Sequence, residues 1–211
     1  MGGFVGQQPA QLLVWTDIDP GFEADFNRWY DREHMAERVA LPGFRWARRY
    51  CTNKGRRYLA LYRTDSLAAF TSAAYTEAFA NQTAWSKRNL ARMVDPVRRV
   101  GSIAFERGQG TGAAIGLITL ESGEPDLRAI EHMTGNAMTI DGILGGHLLV
   151  PDVTLSTPLP NEKGERILAP LFVIEATGAA AAEKVTAMVA RELNQPDSAM
   201  AVLSLMWELT A

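Results

Sequence analysis

One cysteine, three histidines and the absence of any long apolar run set the first limits on this 211-residue chain. Cys51 alone can form neither an internal disulfide nor a thiolate metal centre. His34, His132 and His147 show no metal-ligand spacing, so no metal site is expected. No segment approaches the roughly 20 consecutive apolar residues that cross a bilayer, and no membrane partner is expected. The opening MGGFVGQQPAQLLVW lacks the basic start and apolar stretch of a secretory signal, so the expected location is cytoplasmic. With 21 Lys+Arg against 24 Asp+Glu the formal net charge is −3, and no global field recruits nucleic acid. Gly108-Gln109-Gly110-Thr111-Gly112 is glycine-rich but does not open a helix with Lys-Ser/Thr, which excludes a phosphate loop. What remains is ordinary globular composition, 47% hydrophobic and 21% charged, in a chain long enough to bury a core.

The two halves differ in chemistry. Residues 1–110 hold 16 of the Lys+Arg, 11 of the Asp+Glu and 16 of the 18 aromatic rings. Only Phe172 and Trp207 are aromatic after that point. Rigid rings and arginines are what a pocket for a flat or acidic organic molecule uses, so the first half is the place to look for a site.

Periodicity divides the chain into elements. Leu12 to Ile18 reads as a strand, followed by an Asp19-Pro20-Gly21 break. From Phe22 to Ala40 the pattern is helical, with Phe22, Phe26, Trp29, Glu33, Ala36 and Ala40 on one stripe and Tyr30 and His34 on its border. Pro42-Gly43 ends it. Phe44 to Cys51 and Tyr58 to Arg63 are strands joined by an Asn53-Lys54-Gly55 turn. Asp65 or Ser66 caps a second helix that runs to Phe79; residues 81–95 continue polar and helical or loop-like, and Val97 to Glu106 is a fourth strand. After the Gly108–Gly112 linker the order recurs. Strands are expected at Ala113–Leu120, Ile143–Val150, Arg166–Ala176 and Ala199–Leu209, with helices from Asp126 and over Ala179–Leu193. VGSIAFE from Val100 is answered by VLSLMWE from Val202, and Pro42-Gly43-Phe44 by Asp141-Gly142-Ile143. Two matches in the same order as the elements indicate a duplication. The expected fold is α+β: two ferredoxin-like β-α-β-β-α-β repeats, 1–110 and 111–211, whose antiparallel sheets pack face to face as an intramolecular α+β barrel.

The segment from Phe26 to Tyr50, FNRWYDREHMAERVALPGFRWARRY, resembles the dimeric α+β-barrel superfamily, particularly its EthD-like branch and the antibiotic-biosynthesis monooxygenases. The residues that carry the resemblance are Trp29, Tyr30, Glu33, His34, Pro42, Gly43, Phe44, Arg48, Arg49 and Tyr50. The second copy keeps Glu131-His132 without the Trp-Tyr pair and reads as degenerate. The resemblance implies a pocket between helices and sheet, with His34 as acid/base; family activities span cofactor-independent quinol oxygenation, cyclisation, isomerisation and haem binding.

His34 is the candidate proton shuttle, because an imidazole exchanges protons near neutral pH. Tyr30, one turn earlier, can orient it. Glu33 in the apolar stripe needs a partner, and Arg48, Arg49 or Arg63 on neighbouring strands could supply it. Trp15, Asp17, Trp46, Arg48, Tyr50, Tyr62 and Trp85 are the candidate walls for a substrate. The expected function is a cofactor-independent acid/base enzyme acting on a hydrophobic aromatic or polyketide-like molecule. The alternatives are a non-catalytic small-molecule binder or stress-type protein, and a haem protein using His132 or His147. A homodimer is expected from sheet edges or helices presented to a second copy.

Overall fold

In the computed structural model, which describes residues 8–121 and 126–211, eight antiparallel strands close on themselves in the order β1-β3-β2-β8-β5-β7-β6-β4. The first sheet consists of β1 (Ala10–Ile18), β2 (Phe44–Cys51), β3 (Tyr58–Thr64) and β4 (Met93–Gly108). The second consists of β5 (Ala114–Thr119), β6 (Ile143–Pro151), β7 (Leu171–Ala176) and β8 (Met200–Thr210). The first sheet is covered by α1 (Glu23–Trp29), α2 (Met35–Val39), α3 (Ala73–Ala80) and α4 (Ala84–Ala91); the second by α5 (Leu127–Ala137) and α6 (Ala179–Glu192). The Gly123-Glu124-Pro125 break expected before α5 lies outside the described residues.

Each strand serves two cores, which is why β3 (YLALYRT) is buried at every position. Leu59 and Leu61 meet Leu13, Ile115, Leu149 and Leu203 inside the barrel, while Tyr58, Ala60 and Tyr62 face the helices. The sheets do more than face each other. Strand β2 pairs with β8 and β4 with β6, so the barrel has no free strand edge among the described residues. Closure pairs the backbone donors that an open edge would leave bare. A second copy would therefore have to dock through helices or loops.

The duplication extends to the irregularities. The pairing of β2 with β3 slips between Phe44 and Trp46, and that of β6 with β7 slips at the matching place, between Ile143 and Gly145. A second slip, Arg49/Tyr50 against β8, is repeated by Ile103/Phe105 against β6. Gly43 and Gly142, which open the matching strands, both take φ values near +85°, at +84° and +88°. That region is open to glycine and strained for other residues.

The structure differs from the sequence reading at several elements. Between α1 and α2 the helix contains one π-helical turn, Tyr30–His34, in which the Met35 N–H reaches back to the Tyr30 carbonyl. The extra residue rotates everything after it by about 100°. The buried face therefore continues through His34, Met35, Arg38 and Val39, while Ala36 and Ala40 are exposed and Glu33 leaves the centre of the stripe. The helix expected from Asp65 is a 3-10 turn at Leu67–Thr71 followed by α3, whose cap is the Ser72 hydroxyl accepting from the Tyr75 N–H. Of the two options for 81–95, the helical one holds over α4, capped by Thr83. Strand β4 begins at Met93 and carries Pro96 inside it, because Asp95 at φ +44° makes an irregular step opposite the slip between Trp15 and Asp17. Strand β7 begins only at Leu171, since residues 152–170 cross over to the first half instead.

Candidate active site

Helix α1, the π turn and α2 lie over β1 and β3, leaving a cavity of about 370 Å³ between them and the sheet. Leu12 and Val14 form its floor, Tyr30, His34 and Arg38 one wall, and Tyr75, Phe79 and Leu90 another. Tyr30, His34 and Arg38 follow one another at four-residue spacing, and the π turn is what points all three inward. Trp29 stacks on His34 with centroids 4.3 Å apart, and Tyr30 meets it edge-on at 5.3 Å. The Trp29 indole N–H donates to Ser86 Oγ at 3.0 Å, which fixes the ring behind the histidine. Arg49 covers the other side of Tyr30 at 4.1 Å and is itself held by Asn27 and Asp31.

The electrostatics are unusual for so apolar a cavity. His34 is 8% exposed and its Nδ1 has no hydrogen-bond partner among the described residues. Burial, and then the Arg38 and Arg49 guanidinium groups, hold its pKa well below the ordinary 6.5, so the ring is neutral. Burial pushes the Tyr30 phenol upward, with Arg49 pulling the other way, and Tyr30 stays protonated. Arg38 is buried, forms no ion pair among the described residues, and leaves Nη1 without a partner. A cation in that position lacks an anion.

A stability test follows from the histidine shift. His147 is lowered in the same way, by burial and then by Arg63 and Arg48. Both rings bind a proton more weakly in the native state than in the unfolded chain. Their contribution is intact above the ordinary value of 6.5 and is lost as pH falls through it toward the native values. Unfolding free energy measured in urea should fall between about pH 7.5 and pH 5.5, by up to about 1.4 kcal/mol per pH unit for each histidine. His34→Gln should remove one histidine's share of that slope.

The other sequence candidates are dispersed. Tyr62 lies beside His34, with centroids 6.2 Å apart, on the helix side of β3. Glu33 turns toward α4 and accepts from Thr83 Oγ1 at 2.6 Å and Ser86 Oγ at 3.0 Å; its partners are hydroxyls where arginines were expected. Trp85 donates from its indole to Asp25 at 3.2 Å. Trp15 and Asp17 face the far end of the barrel, where they hold the β2–β3 turn through the Arg56 carbonyl and the Arg57 N–H. Trp46, Arg48 and Tyr50 point into the barrel, away from the helices. His132 is exposed on α5 beside Asn136, and His147 sits inside the barrel between arginines and glutamates. Among the described residues neither position is backed by an open apolar slot, so these residues do not fit an iron porphyrin.

Sequence reasoning passed over Arg38, although its four-residue step from His34 was a usable signal. It also passed over the wall supplied by the second half. Residues 152–170 fold across the first half as a strap, placing Leu159, Pro160 and Asn161 on the cavity. Asn161 Nδ2 donates to the carbonyls of Ala91 and Met93 at 2.9 Å each, and Arg98 Nη1 to the Leu155 carbonyl at 2.7 Å. Glu162 is gripped by Arg99 at 2.7 Å and Arg166 at 3.1 Å. Nothing in the local periodicity of 152–170 encodes where that segment lands.

No protein-family model matches the chain, and none of the curated proteins does. Solved structures do match, over nearly its whole length. An anthrone oxidase-like protein superposes with a TM-score of 0.62 at 8% identity, covering 97% of this chain and 94% of that one. A Lactobacillus acidophilus protein provisionally assigned as a monooxygenase gives 0.59 at 10% identity, with 97% of each chain covered. A protein provisionally assigned as a chlorite dismutase gives 0.53 at 9% identity, covering 95% of this chain and 96% of that one. The chain thus shares the fold of these proteins, which in it is a closed eight-stranded antiparallel α+β barrel with both sheets in one polypeptide. No helix among the described residues is long and apolar enough to cross a membrane.

Proposed function

We propose that the chain is a cofactor-independent acid/base enzyme which removes a proton from an aromatic ketone, enol or quinol held in the helix-layer cavity. The observation that carries this reading is the placing of a buried, neutral imidazole at position 34, its Nδ1 without a hydrogen-bond partner among the described residues, beside an Arg38 guanidinium that forms no ion pair among them, in a mainly apolar chamber. His34 accepts the proton. Arg38 stabilises the enolate or phenolate that forms, in surroundings where a charge interaction is stronger than in water. Tyr30 keeps the imidazole oriented through its edge contact, and the apolar walls exclude competing water.

The likeness to an anthrone oxidase-like protein favours oxygenation of such an anion over cyclisation or isomerisation. Anthrone is therefore the test substrate. Loss of the acidic C–H proton to His34 gives the carbanion, dioxygen takes up its electrons, and the balanced products are anthraquinone and water. Oxygen uptake and the anthraquinone absorbance should rise together. His34→Gln should lower kcat by at least about 10²-fold while anthrone still binds. Unchanged turnover in that variant overturns the assignment. Binding without turnover in the unaltered protein supports the non-catalytic binder that the same cavity could serve.

A further inference from the structure

A second chamber lies on the opposite face of the same sheet. One end of the barrel encloses a cavity of about 340 Å³ walled by Trp46, Arg48, Arg63, His147 and Glu175, with the chain at 108–111 around its rim. The strand registers show how it arose. Matching slips place Trp46 opposite Arg63 in the first sheet and Gly145 opposite Glu175 in the second. Where one copy carries an indole, the other carries no side chain, and the barrel end is hollow on that side.

The hollow is lined with polar groups that lack partners. His147 is 2% exposed and its Nε2 has no hydrogen-bond partner among the described residues. Arg63 spends both terminal nitrogens on Glu106, at 2.9 and 3.1 Å, and leaves Nε unpaired and buried. Gln11, opposite Arg63 in the β1–β3 register, is fully buried with neither amide atom paired. Buried polar atoms seldom stay unpaired, and three such residues facing one interior, Arg63 and His147 of them on the chamber wall, point to an occupant that bonds there. Glu175 is already engaged, by Arg48 Nη1 at 3.0 Å and the Gly112 N–H at 2.9 Å. Each arginine of the wall is ion-paired, Arg48 with Glu175 and Glu208, Arg63 with Glu106 and Arg107 with Glu131, so the donor left open is Arg63 Nε, beside the His147 imidazole.

We infer that this barrel end is a binding site for a small organic monocarboxylate, held by Arg63 Nε and His147. The site is separate from the helix-layer cavity and does not depend on its chemistry. The groups facing His147 are Arg48, Arg63, Glu106 and Glu175. A bound carboxylate adds a negative charge beside the imidazole and must raise its pKa.

The test is a titration of the whole protein with acetate and with benzoate, followed by NMR of the Trp46 indole N–H and the His147 ring, with sodium chloride at equal ionic strength as control. Saturable shifts at these two residues are expected, together with an upward move of the His147 pKa at saturation. Arg63→Gln should weaken binding roughly tenfold, as loss of one hydrogen bond from a charged donor does, whereas Arg38→Gln on the other face should leave it unchanged. The readouts on the unaltered protein stand even if Arg63→Gln fails to fold. A linear response shared with chloride, or shifts confined to Tyr30 and His34, would overturn the inference.

Discussion

Replacing Arg48 with Met should destabilise the protein by about 3–5 kcal/mol at neutral pH, because one side chain then leaves two carboxylates without their cation. Arg48 and Glu175 are both nine-tenths buried, and the guanidinium also binds Glu208 and Thr111 Oγ1, the latter at 2.6 Å. It belongs to the first sheet, Glu175 and Glu208 belong to the second and Thr111 to the linker before it, so it crosses the β2–β8 seam. The loss should depend on pH. Burial already raises the Glu175 pKa above the ordinary 4.5, and Arg48 is among the influences that pull it down. Without Arg48 the native pKa climbs further. A carboxyl shifted upward favours the native state below its unfolded value and loses that contribution as pH rises through the native one. The penalty should therefore be smallest near pH 5 and grow toward about pH 8, read as the difference in urea midpoint between variant and parent at each pH. A penalty that stays flat or shrinks over that range would mean Glu175 is not the stranded charge.

Trp29→Ala should cost a similar amount, about 3–5 kcal/mol, for a different reason. Its ring is fully buried among Phe26, Tyr30 and His34, so truncation leaves a hole in the first core and removes the bond to Ser86. Trp29→Phe should cost less than half as much, since most of the apolar contact survives. The alanine variant should also free the His34 ring and admit water beside it. Its pKa, followed by NMR, should then rise toward 6.5, because burial is the largest cause of its depression. Stability lost with an unmoved histidine would show that Trp29 packs the core without setting the state of the ring.

The sequence exposed the architecture through signals that act locally. Alternation in β1–β3, the Pro42-Gly43 stop, and the two pairs of matching segments are each dictated by the residues that show them. The Tyr30–His34 step was legible for the same reason. The π turn was not, since a single i→i+5 hydrogen bond leaves no compositional mark, and so Glu33 was read into a stripe that the helix rotates away. The candidate walls scattered because a closed barrel gives both faces of a strand to different cores. Arg48 and Arg49 are neighbours in the chain, yet one faces the seam and the other the helices. Alternation can say that Trp46 and Tyr62 lie on ordered faces, but only the closure of the sheet says which face is which.

The crossing segment at 152–170 has a counterpart in the first copy, the short turn between Cys51 and Tyr58. One duplicate carries the candidate groups His34 and Arg38, and its twin supplies the cover over them. Roles are thereby split along the chain: changes at Leu159, Pro160 or Asn161 can reshape what the chamber admits without touching His34 and Arg38, the groups proposed to handle the proton and the charge. Selectivity and chemistry are free to drift apart, and a barrel assembled from two identical subunits could not separate them in this way, since every alteration would appear twice.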